Sequence, residues 1–480
     1  MTQTATQTQP WSRSLSQPAT EFGPTPLKLL SGKIPTGLRG MLYRNGTGRL
    51  QRGTEAVGHW FDGDGAILQV NFTDQGASGT YRYVKTQGYL AEAEAGEYLY
   101  GNYGMRHPGP VWQHWLGLLN HTAIKNSANT SVLALSDRLL ALWEAGNPHA
   151  LDLETLETLG REDLGWLKDG QPFSAHPLRD PQSGEIYSIG VDSAFTLHLY
   201  RCDRDGRLLK KSAIALKDNP LVHSFVLAGP YLVFFISPVK VELLSLLLNT
   251  KAYADALQWL PERGTRVIVV DRESLTPLAE NETDPWFQWH FGNGCLDPDG
   301  TIRCDLARFE DFTSTNEFLR EVPTGKIQTP SYSHLWQIRL DPQTGRVISN
   351  QPVVERNCEF PVVSPADIGQ PWTSTYIAMH RPGIQAGEDL FGALGRFDYA
   401  TGELTEADLG ENRYVTEPIY AADAEMRDRG WLLTVVYDSQ ADRSELWVFD
   451  AQHLSDQPVC QIALPSVVPP SFHGTWQPAI

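Results

Sequence analysis

The chain has 480 residues, of which 41% are hydrophobic and 10% aromatic, and a formal net charge of −18. That charge repels polyphosphates and argues against nucleic acid as a partner, while saying nothing about fold. The five cysteines, Cys202, Cys295, Cys304, Cys358 and Cys460, are odd in number and form no C-x-x-C pair, which excludes a zinc knuckle or a disulfide framework and suits a reducing cytoplasm.

Residues 1–20 are rich in Gln, Thr, Ser and Pro, have no apolar run behind a basic start, and read as a flexible leader rather than a signal peptide. Residues 21–480 are expected to form a single domain, because a closed β architecture stays one domain at lengths that would otherwise divide. No run of about 18 uncharged apolar residues occurs, so no bilayer span is expected and the predicted setting is the cytoplasm.

From Leu42 the chain repeats one unit: an apolar strand, a polar turn built on Asp and Gly, and a second strand. The unit spans Ala66 to Val84, Arg138 to Leu159, Phe195 to Leu216, Arg266 to Leu278, Leu335 to Ile348, Leu390 to Leu409, and Glu445 to Leu464. Seven hairpins at intervals of about 54 to 73 residues predict an all-β, seven-bladed β-propeller, each hairpin being the outer half of a blade. The segments between hairpins then hold the inner strands that line the axis.

Two regions, 111–119 and 241–260, break the strand pattern and read as short helical insertions capping the axial face. They carry more Leu and Trp than a solvated loop needs. They either pack down as a cap or form an apolar rim that touches a membrane surface and takes up a lipophilic substrate.

Four histidines stand in apolar settings between hairpins or after the last one: His176 near Phe173, His223 after Val222, His290 between Trp289 and Phe291, and His473 after Phe472. One such histidine is more often a satisfied core residue than a ligand. Four of them, each from a different part of a propeller, aim at one axis, and imidazole nitrogens meeting at a point are a ligand set for a ferrous ion. A ligating ring needs a partner for its other N–H. Glu144, Glu359 and Glu417 lie in apolar strand contexts where burial is costly unless they pair with those rings.

Other motifs carry little. Asp62-Gly63-Asp64-Gly65 lacks the later ligands of a calcium loop and reads as a turn at the axial end of a blade. Gly-x-Ser-x-Gly, His-Glu-x-x-His and a phosphate-binding loop ending in Lys are all missing from the sequence, which leaves hydrolase and nucleotide readings without support.

An ordered set of motifs from Ile34 to Trp476 resembles the carotenoid cleavage oxygenases, and within them the retinal-forming apocarotenoid cleavers. The set is Tyr43-Arg44-Asn45-Gly46, Phe61-Asp62-Gly63-Asp64-Gly65, Ala175-His176-Pro177, Trp289-His290-Phe291-Gly292-Asn293, Glu359-Phe360-Pro361, Glu417-Pro418 and Phe472-His473-Gly474. The resemblance implies a seven-bladed propeller with non-haem Fe(II) on its axis, ligated by His176, His223, His290 and His473, with Glu144, Glu359 and Glu417 behind three of the rings. It also implies that Thr130 points its methyl at one open position of the iron and leaves another for dioxygen. Beside the ligands, Phe61, Trp143, Leu221 and Trp289 are expected to line a dry tunnel for a polyene.

The implied reaction is dioxygen-dependent cleavage of a polyene double bond in an apocarotenoid, giving retinal-type aldehydes. The alternatives are a stilbene or other carotenoid cleaver, and a propeller that binds without catalysis. Two positions depart from patterns among the relatives: Phe291 stands where many have a second histidine, and Trp143 where the stilbene cleavers have a lysine.

Overall fold

The computed structural model describes residues 8–479 apart from 385, 386, 388 and 427. Inner strands such as Leu139–Leu142 and Gly430–Asp438 are buried along their whole length, whereas an outer strand such as Leu208–Ala215 is shielded at scattered positions only. The sequence dictates the contrast. A strand packed on both faces reads as a continuous apolar run, and one packed on a single face tolerates Lys210 and Lys211.

All seven anticipated hairpins contain adjacent antiparallel strands. Their Asp–Gly turns work as the composition suggests. Asp398 Oδ1 accepts the amide hydrogens of Ala400 and Thr401 at 2.9 and 3.2 Å, and Gly402 takes the left-handed φ of +71° that closes the loop.

The architecture is all-β and propeller-like, with few helices. Seven separate sheets, the number the hairpin count predicts, are not formed. The described residues make five sheets of four to six strands, one of eight, and two two-stranded ribbons. Apolar cores fill the spaces between successive sheets, for example Leu142 and Ala150 against Ile186 and Tyr200. A further core packs Leu42 and Leu68 of the first large sheet against Leu433 and Leu446 of the last. The chain ends reinforce that junction: the strand Gly40–Arg49 pairs with Asp64–Thr73 on one side and with the C-terminal strand His473–Pro478 on the other.

Three expectations need correction. The leader is not loose in its described part: Pro10–Leu15 forms a 3-10 helix, and Trp11 and Leu15, one helical turn apart, are buried with Leu50, Val322 and Tyr437. Residues 1–7 of that leader lie outside the described residues. The insertion 111–119 is helical as Val111–Leu119, but 241–260 is not one helix. Leu243–Leu247 makes a short helix that is stopped by Asn249 at φ +51°, after which Leu257–Trp259 returns to pair with Val239–Val241. Two helices escaped the sequence reading, Gln87–Ala95 and Phe312–Glu321. Their N-caps were visible in the sequence: Thr86 accepts from Tyr89 N at 3.0 Å and Asp311 from Ser314 N at 2.7 Å. Among the described residues no helix is long and apolar enough to cross a membrane.

Candidate metal centre

Three of the four candidate histidines are positioned by backbone that leaves regular pairing, and the fourth opens a strand. His176 follows Ser174, whose amide bonds Ile189 O at 2.7 Å and whose hydroxyl accepts the His176 amide at 2.8 Å. His223 precedes the strand Val226–Ala228, and the Ser224 hydroxyl ties its segment to Trp289 O at 2.7 Å. His290 lies in Phe287–Leu296 where the register slips twice, between Gln288 and Phe291 and between Phe291 and Asn293. Such bulges re-aim a side chain. His473 opens the C-terminal strand opposite Asn45, and at Gly474 a side chain would put Cβ 2.5 Å from the Tyr43 carbonyl oxygen, so glycine permits the close pairing.

These four rings meet. The His176 ring centroid lies 4.4, 5.1 and 4.6 Å from those of His223, His290 and His473, and the His290 centroid lies 5.3 and 4.5 Å from those of His223 and His473. Nε2 of His223 is 3.4 Å from Nε2 of His290. Potential ligand atoms of His176, His223 and His290 all fall within 4.8 Å of one another.

The second ring nitrogens face carboxylates. His290 Nδ1–H donates to Glu359 Oε2 at 2.7 Å and His473 Nδ1–H to Glu417 Oε1 at 2.9 Å. A carboxylate only accepts, so the proton sits on Nδ1 and Nε2 keeps its lone pair. His223 Nδ1 touches Glu144 Oε1, but off the direction of a hydrogen bond. His176 has no carboxylate, and its Nε2 is a buried atom without a hydrogen-bond partner. Burial, and then the other three rings, hold His176 well below the usual imidazole range, so it is neutral at physiological pH. Burial also lowers His473, against the upward pull of Glu417.

Inward lone pairs and an orphaned nitrogen are unfavourable among themselves. A cation reverses the sign, and an all-imidazole set suits a divalent transition metal. On that chemistry the residues present fit a metal ion.

Glu417 owes its ionised state to its neighbours. Burial would raise it, yet His473, Arg44 and the Gly474 amide together bring it below the ordinary carboxylate value. Arg44 belongs to the Tyr43-Arg44-Asn45-Gly46 motif. Its guanidinium, fully buried, donates to Ser471 Oγ at 2.8 Å, Glu417 O at 2.6 Å and Phe472 O at 3.3 Å, gripping both segments that carry the His473–Glu417 pair. Asn45 donates to Ala128 O and Ser131 O, both at 2.9 Å, and so fixes the segment carrying Thr130.

That segment is also held by four buried charges that the sequence reading missed. Lys125 and Arg52 both bridge Asp64 and Glu92, each of these side chains being no more than 2% exposed. Asp62 and Asp64 of the predicted turn thus do structural work: Asp62 accepts from Gly104 N at 2.8 Å, and Asp64 takes the cations.

The rings of His223, His290 and His473 face a cavity of about 1140 Å³, ample in volume for a polyene. Phe61, Trp143, Leu221, Trp289 and Thr130 all line it. The Thr130 hydroxyl is engaged by Asn129 Oδ1 at 3.2 Å. Leu118, Leu243, Leu246 and Leu247 of the two insertions form part of its wall, and the insertions are joined through His114 Nε2 and Leu246 O at 3.0 Å.

A propeller-like metalloprotein with an all-histidine centre beside an apolar cavity is the class that fold and site define. The sequence profile described as retinal pigment epithelial membrane protein matches residues 16–478. Over 470 residues the chain is 32% identical to the apocarotenoid-15,15'-oxygenase of Synechocystis sp., covering 93% of this chain and 92% of that one. It is 26% identical to resveratrol cleavage oxygenase 1 of Aspergillus fumigatus, over 93% of this chain and 91% of that one. A solved mutant of the Synechocystis apocarotenoid oxygenase superposes with a TM-score of 0.87 at 30% identity, covering 99% of this chain and 100% of that one. The cobalt-substituted Synechocystis protein gives 0.86 at 30% identity over 98% of each chain. The chain belongs to the retinal pigment epithelial membrane protein family, that of the carotenoid cleavage oxygenases, and is an oxygenase of that family.

Proposed function

We propose that the protein is a non-haem Fe(II) enzyme that uses dioxygen to cleave a polyene double bond of an apocarotenoid, giving retinal-type aldehydes. The observation that carries this reading is the convergence of four imidazoles, three of which line one wall of a large, mainly apolar cavity. His176, His223, His290 and His473 would hold the iron, and Glu144, Glu359 and Glu417 would fix three of the rings. Iron(II) bound there supplies the activation of dioxygen. Net, one C=C bond and one O2 become two C=O groups, which requires no acid or base from the protein. The chain's own part is to bind and orient: Phe61, Trp143, Leu221 and Trp289 exclude water and set one double bond beside the metal, and Thr130 narrows the space next to it.

The finer architecture is part of the same reading. We infer seven blades, because the eight-stranded sheet consists of two four-stranded antiparallel units joined by one parallel pair, Ala228 with Gly294, and an apolar core lies between the two units. On the same ground residues 21–480 are proposed as a single domain, with Pro10–Leu15 packed onto it. We also propose a cytoplasmic protein peripheral to a membrane. Trp112, Trp115, Leu119, Leu244 and Leu247 are all exposed on the insertions that wall the cavity, as uptake of a lipophilic substrate from a bilayer would use.

Iron analysis of the purified protein tests the reading: about one ion per chain is expected, and a well-folded metal-free protein that binds none favours the non-catalytic alternative. His290→Ala should lower retained iron at least tenfold while the fold persists, and full metal content in that variant removes His290 from the ligand set. Incubation with a panel of apocarotenals and stilbenes, with the aldehydes identified, separates the polyene reading from its stilbene rival.

A further inference from the structure

Regular strand pairing starts only at Phe22, so the 3-10 helix Pro10–Leu15 belongs to no sheet. Its polar ties to the body are few. Gln9 N donates to Gly325 O at 2.9 Å, and Arg13 pairs with Asp442 at 2.9 Å across exposed surface, a contact that stabilises little in water. What fixes the segment is the burial of Leu15 and of Trp11, which has no exposed surface at all.

Trp11 stands behind two walls of the cavity. It shares one apolar core with Trp60, Phe472 and Leu390, all three of which line that cavity. Trp60 and Phe472 meet edge-on at 5.1 Å, and Phe472 directly precedes His473. Leu390 lies between Asp389 and Phe391; the Phe391 ring is 6.5 Å from Phe360, which stacks on His290 at 5.3 Å. Segment 389–391 is tied on one side, where His380 Nε2 meets Asp389 O at 2.7 Å. On another it meets the leader: the Trp11 indole N–H faces the Asp389 carboxylate, short of hydrogen-bond geometry, and has no other partner among the described residues. Burial raises the Asp389 carboxyl to about 6, against the Leu390 amide and the Trp11 N–H, so at neutral pH it is mainly an acceptor for that N–H.

We propose that Trp11 is a positioning residue for cleavage: wedged behind the Phe472 and Leu390 walls, it sets where they stand and thereby which double bond of the bound polyene lies beside the metal. This rests on the polyene-cleavage reading. A core indole that is deleted leaves space into which its surroundings relax only in part, so both walls shift. Reacting atoms must be held about 3–3.5 Å apart, and a misplacement of about 1 Å costs on the order of a hundredfold in rate. In a conjugated chain the neighbouring double bond is the next reactive group along, so a displaced wall changes the bond that is cut as well as the rate. The sheets do not depend on this segment, which makes the wedge separable from the fold.

The test uses the full-length, iron-loaded protein with one apocarotenal, measuring kcat, KM and the chain lengths of the aldehydes. Trp11→Ala should lower kcat about tenfold with KM changed less than about twofold, and should add a second pair of aldehydes from an adjacent double bond. Trp11→Phe, which keeps an aromatic ring in the core, should recover most of kcat and a single pair. A folded Trp11→Ala with unchanged kcat and products overturns the wedge. So does a loss of kcat with the product pattern intact, which a looser core gives by itself. Should Trp11→Ala not fold, Trp11→Leu is read in the same way, with the same two outcomes deciding. A wild type that cleaves no polyene sinks the cleavage reading and the wedge together, whereas a wild type that cleaves and a Trp11→Ala that cleaves identically sink the wedge alone.

Discussion

Glu417 and Glu144 each stand behind one of the four rings, and they are held in opposite ways. Glu417 is buried, bonded to His473 Nδ1 and to the Gly474 amide at 2.9 Å each, with the Arg44 guanidinium 4.0 Å away. Glu144 has a side chain 33% exposed, facing the cavity, and touches His223 without a directed bond. Glu417 follows the strand Arg413–Val415 of the last large sheet and reaches His473, which opens the edge strand His473–Pro478 of the first. Glu144 lies just past the end of the strand Leu139–Leu142. One flank of the centre is therefore built into the closure of the fold, and the other is wall.

The largest effect should come from cutting the first flank. Glu417→Ala leaves the Arg44 charge buried without its carboxylate, which costs about 3–5 kcal/mol of stability. Glu144→Ala removes a partly exposed group with no directed bond, and should cost less than about 1 kcal/mol. Urea unfolding of the two variants measures both. Equal losses would end the distinction between closure and wall.

A smaller effect sharpens the same point. If the cost of Glu417→Ala is mainly the stranded charge, adding Arg44→Met to it should return about 1–2 kcal/mol, since a buried apolar side chain of similar length replaces an unpaired ion. A double variant no more stable than Glu417→Ala would show that losing the three contacts of Arg44 to Ser471, Glu417 O and Phe472 O outweighs relief of the stranded charge.

The contrast also explains how much was legible in the chain. Hairpins read well because an Asp–Gly turn between two apolar runs is local chemistry, and Asp398 with Gly402 needs nothing beyond its own loop. The histidines could be grouped because imidazoles in apolar settings are few and lie between the hairpins. What escaped depended on partners distant in sequence. Arg44 contacts residues 373 and 427 positions away, and nothing near Arg44 announces them. Lys125 and Glu92 look like ordinary surface charges until Arg52 and Asp64 bury them. The helical insertion expected over 241–260 is helical only in part for a related reason: a leucine-rich run specifies burial or exposure only once its neighbours are known, and here Asn249 turns the chain back into a small ribbon.

The smallest effect belongs to the wall. Trp143 lines the cavity next to Glu144, and Trp143→Lys exchanges an apolar face for an ammonium within reach of that carboxylate. The fold should hardly notice, because Trp143 lies outside the apolar cores between the sheets. Cleavage of apocarotenals should fall about tenfold in kcat/KM, an apolar polyene having to pass a charge that gains nothing from it. A phenolic stilbene offers that ammonium an oxygen acceptor, so its turnover should fall less or rise. If Trp143→Lys processes both classes as the wild type does, the side chain is not in contact with substrate, and the wall of the site must be drawn on the Trp289 side alone.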